Sequence, residues 1–581
     1  MRVDGLWTAW IDRTLDPPKA GSSGVAGNRP YHAGVNPGNL DAGGLERARG
    51  REWWRRGRWA ALLIVAVCSA VYWVGLGANG LSMSEGHRAI PGWEMARSGE
   101  WLVPRMYERV YVRKPPGMFW AIAASAKVLG ETEFSARAVS AMAMTVSALV
   151  VFLVTRRWFG GAGGLAAGLA QALTPLWWSV GRSAEIEALN NALTQAACLL
   201  AVDAMMLRRE GGHGSATDGA SASGAVARSK MVTLLGIALC TGGALLAKGP
   251  ACASAIGAVL VAGLVVGRPV SAVFRPSLVA GLVLGVAAFG AWVFMAERAI
   301  AAMTIDPVAP VVRQSVGDFL YGPGWPAKLA FFPFATLASV MPAGVAMLFV
   351  FGREARAERD AGREACIAHD AARVLTLGAL LGVGALMLSG VTNPRYAMPV
   401  LTLVPPTLGY VVRGALGGFG ERRQRIARGL MLGGPARLGL VVLIAAVVTA
   451  QVMERSRERN SGRDAGERLG VALAERATAR GEPTVEGWAD HSIEARPEVL
   501  EWCRRKATEL GVGVRARWVS LASVTPAQAA GVWLLVRADE GGDEAPVWRA
   551  GRESVGEARA AKFGFVVLAP GGAIGPVESP E

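Results

Sequence analysis

Eleven long apolar runs, nearly free of charge, punctuate this 581-residue chain. The first, Trp59 to Gly77 (WAALLIVAVCSAVYWVGLG), is long enough to cross hydrocarbon, because about 20 helical residues span a ~30 Å core. Ten more follow near Ala138–Val154, Ala162–Val180, Ala188–Leu207, Met231–Ala247, Pro250–Gly267, Ser277–Ala296, Leu329–Phe351, Val374–Gly390, Tyr396–Val412 and Leu438–Met453. Lipid offers an exposed peptide group no partner, so such runs must close their backbone bonds internally as helices. The expected fold is therefore an all-α polytopic membrane protein of about 11 transmembrane helices. Composition agrees, with 52% hydrophobic and only 18% charged residues and a mean hydropathy of +0.32. A water-soluble core cannot hide that much apolar surface, and intrinsic disorder or a collagen repeat is excluded for the bulk of the chain.

The excess of 61 Lys+Arg over 46 Asp+Glu would suggest nucleic acid in a soluble protein, but here its placement matters more than its sum. Alternating the runs from an inside N-terminus puts Arg47, Arg49, Arg51, Arg55, Arg56 and Arg58, then Arg156/Arg157, Arg208/Arg209, Arg268/Arg275, Arg353/Arg356/Arg359 and Arg422/Arg423/Arg425 on the cytoplasmic side. That is the positive-inside pattern of a plasma (inner) membrane protein with an odd number of crossings. Anionic membrane lipids are then the partners of the positive charge, and nucleic acid is not. Three parts follow. Residues 1–58, polar, Gly-rich and basic, read as a disordered cytoplasmic tail rather than a cleaved leader. Residues 59–453 form the membrane module, with a first external loop at 78–117. Residues 454–581 combine a charged helical stretch (Ser492–Leu510) with strand-like runs (Val532–Val536, Phe563–Leu568) and read as a small extracytoplasmic soluble α/β domain. Gly/Ser/Ala-rich residues 210–230 read as a flexible linker. The six cysteines stand singly, without metal-finger spacing, as small buried hydrophobes.

Polar residues at the outer ends of the spans are the candidates for chemistry. The first loop carries Glu85, Glu94, Glu100 and Glu108 among Arg88, Arg97, Arg105, Arg109, Arg113 and Lys114, a density unusual for a short connector. Most of these charges suit a solvated interfacial loop, whereas Glu85 and Lys114 stand close to span ends. A second acidic spot, Glu185 and Glu187, lies at the next outer corner. Carboxylates at membrane depth are costly and need partners or water, which makes them functional candidates. Glu187 also suits a first helical turn, where the helix dipole favours an anion. Lys248 (Ala247-Lys248-Gly249) and Arg395 (Pro394-Arg395-Tyr396) occupy further outer corners against the positive-inside trend. Snorkelling accounts for such side chains structurally, and binding of a phosphate accounts for them functionally.

The loop from Gly86 to Arg137 resembles the first external loop of GT-C glycosyltransferases of the aminoarabinose-lipid A transferase and protein O-mannosyltransferase type. There an acidic pair leads to a W-x-x-P stretch, then Y-x-x-K-P-P, then G…E…A-A-R. Glu85, Trp101, Pro104, Tyr111, Lys114, Pro115, Pro116, Gly130, Glu133 and Arg137 stand in the matching places. The similarity runs on through the corners at Glu187, Lys248 and Arg395, from about Trp59 to Val412. The resemblance implies a polyprenyl-phosphate-linked sugar as donor and a lipid, glycan or protein hydroxyl as acceptor. It implies Glu85 and Glu187 as catalytic acids, with Lys114, Lys248 and Arg395 on the donor phosphate, supported by Arg137, Tyr111, Glu185 and Tyr396. One departure stands out. Ser84 occupies the position of the Asp assigned to catalysis in such relatives, so the reading gives the role to Glu85, one residue on.

Bottom-up chemistry is consistent with that implication. A general base must take the acceptor proton as its oxygen attacks the anomeric carbon, and cations must meet the charge developing on the departing phosphate. One base without a paired nucleophile implies inversion. No nucleotide-binding G-x-x-x-x-G-K-[ST] motif is present, no cofactor is indicated, and a divalent metal is left open. A secondary transporter and a non-catalytic binder of lipid-linked sugar are the competing classes. The former typically shows paired repeats with charges near the midplane, and no such repeat is evident. The topology is directly testable. A compartment-specific reporter fused at Gly212 and at Gly541 should be active at one position only, and activity at both would contradict the odd number of crossings between them.

Overall fold

A computed structural model of the chain describes residues 57–82, 84–206, 219–302, 343–352, 362–388, 394–416, 462–490, 496–519, 531–537, 552–560 and 563–570, with a few isolated positions between. The expected basic tail and the spans at Leu329–Phe351 and Leu438–Met453 lie largely or wholly outside these residues. Among the described residues four helices are long and apolar enough to cross a membrane, and three shorter apolar helices accompany them.

Helix α1 (Gly57–Trp73) is one of the shorter ones. The loop at 78–117 then forms helix α2 (Gly86–Ser98) and a hairpin of strands β1 (Arg105–Met106) and β2 (Arg109–Val110). Pro115 and Pro116 precede α3 (Gly117–Leu129), where their missing N–H groups cost no intrahelical bond. The expected second and third spans are the two legs of one element, α4 (Glu133–Leu173), begun by a capping box between Thr132 and Ser135. Gly160, at φ 75° and ψ 177°, reverses the chain there. The legs run side by side, with Gln171 Nε2 donating to Ser147 Oγ and a Cβ at Gly168 meeting Ala148 O at 3.1 Å.

Helices α5 (Leu176–Gly181), α6 (Ile186–Met206), α7 (Gly219–Lys248), α8 (Ala251–Val265), α9 (Pro276–Ala301) and α10 (Arg363–Leu388) continue the bundle. Helix α7 corrects the linker reading from Gly219 onward. An Ala/Ser stretch without proline extends a helix nucleated by the apolar run behind it, because propagation is far easier than nucleation. The expected tenth span is also broken. It comprises a tight turn at Pro394–Ala397, a short helix at Met398–Leu401 and helix α11 (Thr407–Leu416), interrupted where Pro405 and Pro406 cannot donate. Without a hydrophobic force between helices in lipid, close backbone approach holds them. A Cβ at Gly285 of α9 would lie 2.8 Å from Gly242 N of α7.

The C-terminal unit has helices α12 (Arg463–Ala479) and α13 (Pro497–Glu509) and five strands, β3 (Thr484–Asp490), β4 (Gly513–Val519), β5 (Trp533–Arg537), β6 (Ser554–Ala560) and β7 (Phe563–Leu568). The sheet order is β4-β3-β5-β7-β6, parallel through the first three and antiparallel thereafter. This unit does not stand apart. Trp93, Met106 and Tyr107 of the external loop share one apolar core with Leu469, Leu500, Cys503 and Trp518.

The hairpin tip is the tightest point of that contact. Tyr107 (φ 53°) and Glu108 (φ 65°) form a two-residue turn in the left-handed region, a conformation that costs a residue with a side chain about 1–2 kcal/mol. Four hydrogen bonds offset it. Tyr107 N donates to Glu94 Oε1 (2.6 Å), the Tyr107 hydroxyl to Pro497 O (2.6 Å), Trp518 N to Tyr107 O (3.1 Å) and Arg517 Nε to Glu108 Oε2 (2.8 Å). Two carboxyls are enclosed by the same contact. Burial pushes Glu94 up to about 7 against the Tyr107 N–H, and burial pushes Glu498 up to about 7 against the Arg496 guanidinium.

Both carboxyls therefore stay protonated to about pH 7 when docked, but only to 4.5 when solvated. The docked form binds more protons between those values, so docking weakens as pH rises from 4.5 to about 7 and changes little above. Hydrogen exchange of residues 105–112, corrected for intrinsic rates, should show stronger protection at about pH 5.5 than at about pH 8, with Glu94→Gln removing part of the difference. Equal protection at both values would contradict this account.

Candidate functional site

Four corners at one end of the bundle meet. Ser84 and Glu85 lead into α2, Glu185 and Glu187 flank the start of α6, Lys248 ends α7, and Arg395 and Tyr396 sit in the tight turn after α10. The residues that the sequence singled out separate here into two sets.

The first set is structural in geometry. Glu85 is 1% exposed and Arg137 0%. Arg137 Nε and Nη2 donate to Glu85 Oε1 and Oε2, each at 2.8 Å, in the fork geometry that suits a guanidinium and a carboxylate. Ser82 N (2.9 Å) and Ala184 N (2.9 Å) donate to the same two oxygens. The rest of the guanidinium donates to Leu76 O, Asn79 O and Gly80 O. Both its oxygens are taken by an arginine and backbone amides, a geometry that argues against Glu85 as the base. A carboxylate held in that way is poorly disposed to accept a proton from a substrate.

The second set is a mixed cluster of charges. Lys248 Nζ lies 3.0 Å from Glu187 Oε1, with both side chains buried, and 4.9 Å from the centre of the Tyr396 ring. Arg395 Nη2 lies 2.8 Å from Glu187 Oε2 and 2.7 Å from Glu185 Oε2, so one nitrogen bridges two carboxylates. The Ser84 hydroxyl donates to Glu185 Oε1. Glu187 stands in the first turn of α6, where the helix dipole adds to its stabilisation. Burial raises the Glu185 carboxyl above the usual range, against the pull of Arg395.

Lys114 is half-buried in the stretch before α3. A Cβ at Gly117 would lie 2.8 Å from the Leu246 carbonyl, so the start of α3 lies against the chain just before Lys248. Tyr111 is buried, its hydroxyl 3.4 Å from Arg88 Nη1 and its ring 6.2 Å from His87. Sequence reasoning passed over Arg88, which attracts Glu185 electrostatically. Its signal was its position in the first turn of the helix that Ser84 and Glu85 lead into. Three cations, Arg88, Lys248 and Arg395, thus act on two carboxylates, an excess of positive charge suited to an anion. Among the described residues no three or more His, Cys, Asp or Glu are grouped as metal ligands.

Comparison with known proteins is consistent with this geometry. Residues 113–212 match the family described as dolichyl-phosphate-mannose-protein mannosyltransferase. An undecaprenyl phosphate-alpha-4-amino-4-deoxy-L-arabinose arabinosyl transferase of Pseudomonas fluorescens is 35% identical over 101 residues, 17% of this chain and 18% of that protein. One from Pseudomonas savastanoi is 37% identical over 100 residues, 17% and 19% of the two chains. The matched stretches thus span less than a fifth of those relatives' length. The crystal structure of ArnT from Cupriavidus metallidurans bound to undecaprenyl phosphate superposes with a TM-score of 0.61 at 17% identity, covering 87% of this chain and 97% of that one. The chain has the GT-C fold and is a multi-pass membrane protein.

The Glu85–Arg137 pair can be tested as a staple. Glu85→Gln leaves a buried guanidinium without its carboxylate, which should cost about 3–5 kcal/mol and lower the melting temperature in detergent. Glu85→Gln combined with Arg137→Met should recover part of that loss. An unchanged melting temperature in Glu85→Gln would remove the structural assignment.

Proposed function

We propose that this protein is a glycosyltransferase that moves a sugar from a polyprenyl-phosphate donor to a hydroxyl acceptor at the outer face of the inner membrane. The observation that carries the reading is the cluster of Lys248, Arg395, Glu185 and Glu187, with Arg88 acting on it, at the meeting of four bundle corners. The local likeness to arabinosyl transferases and the overall likeness to a structure bound to undecaprenyl phosphate favour the same donor class.

The chemistry follows from the charges. The donor is a phosphodiester carrying one negative charge, and its apolar tail lies among the lipid-facing helices. As the bond from the anomeric carbon to the phosphate oxygen breaks, its electron pair stays on the phosphate, whose charge grows. Cations fixed before the event stabilise that growth without reorganising, which lowers the barrier. Lys248, Arg395 and Lys114 take this role. A carboxylate of the cluster removes the acceptor proton as the new bond forms on the opposite face of the sugar, so the configuration inverts. Glu85 and Arg137 hold the loop that carries these groups, while Tyr111 and Tyr396 support them. The charged cluster serves the donor from the ends of the helices, which also argues against a transport path through the midplane.

The test is turnover in proteoliposomes with radiolabelled polyprenyl-phosphate sugars, among them undecaprenyl phosphate-4-amino-4-deoxy-L-arabinose, and envelope lipid extract as acceptor. Transfer of label to the acceptor is expected. Lys248→Ala and Arg395→Ala should each lower it by about 10²–10³. Movement of label across the bilayer with no new glycoconjugate would establish a transporter instead.

A further inference from the structure

We propose that Glu185 is the general base of this site and that arrival of the donor phosphate unmasks it by drawing Arg395 away. The proposal rests on the glycosyltransferase reading and assigns a residue within it.

The three buried carboxylates of the region differ in how they are held. Glu85 is bound through both oxygens by Arg137 and by backbone amides. Glu187 is ion-paired through both oxygens, Oε1 with Lys248 and Oε2 with Arg395. Glu185 has a neutral hydroxyl, that of Ser84, on Oε1, and Oε2 faces an arginine nitrogen that it shares with Glu187. It is therefore the acid whose remaining cation is already divided between two anions.

A phosphate entering among Lys248, Arg395 and Lys114 competes for that guanidinium with bidentate oxygens, which an arginine matches well. Once Arg395 turns to the phosphate, Glu185 Oε2 loses its counter-ion in a site from which water is largely excluded. Ser84 still donates to Oε1 and keeps the carboxyl oriented. Burial already raises this carboxyl, so losing the arginine makes it a stronger base at the moment the donor is in place. The groups that face it are Arg395, Glu187, Arg88 and Ser84. The step balances: the acceptor hydroxyl gives its proton to Oε2, its oxygen bonds the anomeric carbon, and the phosphate oxygen leaves with the bonding pair.

The geometry also gives meaning to Ser84. A hydroxyl against Glu185 leaves the acid of the second corner reaching the place where the first-loop resemblance implies an acid. Two positions 101 residues apart have in effect exchanged the carboxylate.

The experiment compares full-length Glu185→Gln, Glu187→Gln and Ser84→Asp/Glu185→Gln in proteoliposomes, with undecaprenyl phosphate as binding probe and the donor of the turnover assay as substrate. Glu185→Gln is expected to lower kcat by about 10²–10⁴ with undecaprenyl phosphate affinity retained or increased, since it frees Arg395 for the phosphate. Ser84→Asp/Glu185→Gln is expected to regain part of that rate. Glu187→Gln should instead raise the donor KM, since it disturbs Lys248 and Arg395. Near-parental kcat in Glu185→Gln, or loss of probe binding in parallel with kcat, would overturn the assignment. A double variant that binds the probe yet shows no gain over Glu185→Gln would overturn the exchange between the two positions. Failure of the parent protein to transfer any sugar would sink the underlying reading, an outcome distinguishable from the others.

Discussion

The arrangement of the site depends on one buried ion pair. Arg137, in the first turns of α4, closes on both oxygens of Glu85 and on three carbonyls of the chain leaving α1. Removing two charges from water costs several kcal/mol per ion unless their hydrogen bonds are fully met. Here they are met from α4, from the turn after α1 and from Ala184 of the neighbouring corner. The pair thereby fixes where the external loop begins relative to the corner that bears Glu185 and Glu187. Ser84 is adjacent in sequence to Glu85, so its hydroxyl is delivered to Glu185 by the same fixation.

With that frame set, the cations around Glu187 are already paired with the protein's own carboxylates. Lys248 and Arg395 come from corners far apart in sequence, and each would be a costly lone cation at the end of a span. Glu187 neutralises them together. On the proposed reading, a donor phosphate would displace or share those internal anions, so that binding and rearrangement of the cluster would be one event.

Much of this was legible in the chain, for identifiable reasons. Apolar runs gave α1, α6, α8 and α9 to within about five residues, because lipid leaves the backbone no alternative, whereas α7 and α10 begin well before their runs and α3 has no run at all. Phe563–Leu568 reads as a strand and is one, a short apolar run that the sheet buries. The corners at Glu185, Lys248 and Arg395 stood out because charge there opposes both hydropathy and the positive-inside trend. Pairing was not legible. Glu85 and Glu185 carry the same group, and only the fold shows that Arg137 closes on the first while Ser84 touches the second. The reversal at Gly160 falls in the gap between two runs, as their separation implied, whereas the break at Pro405–Pro406 lies inside a run that reads as one span. Helical structure from Gly219 was missed because Ala- and Ser-rich composition resembles that of a linker.

The left-handed turn at Tyr107 and Glu108 bears on how the protein is made. The partner that satisfies Tyr107, the Pro497 carbonyl, follows it by 390 residues. At roughly 5–20 residues per second, synthesis separates the two by about 20–80 s. During that interval the whole bundle inserts while the external loop still lacks the bonds that hold its tip. The tip of this loop is thus locked only once the residues around Pro497 have been translated, and until then the earlier helices can be in place with the loop still unlocked.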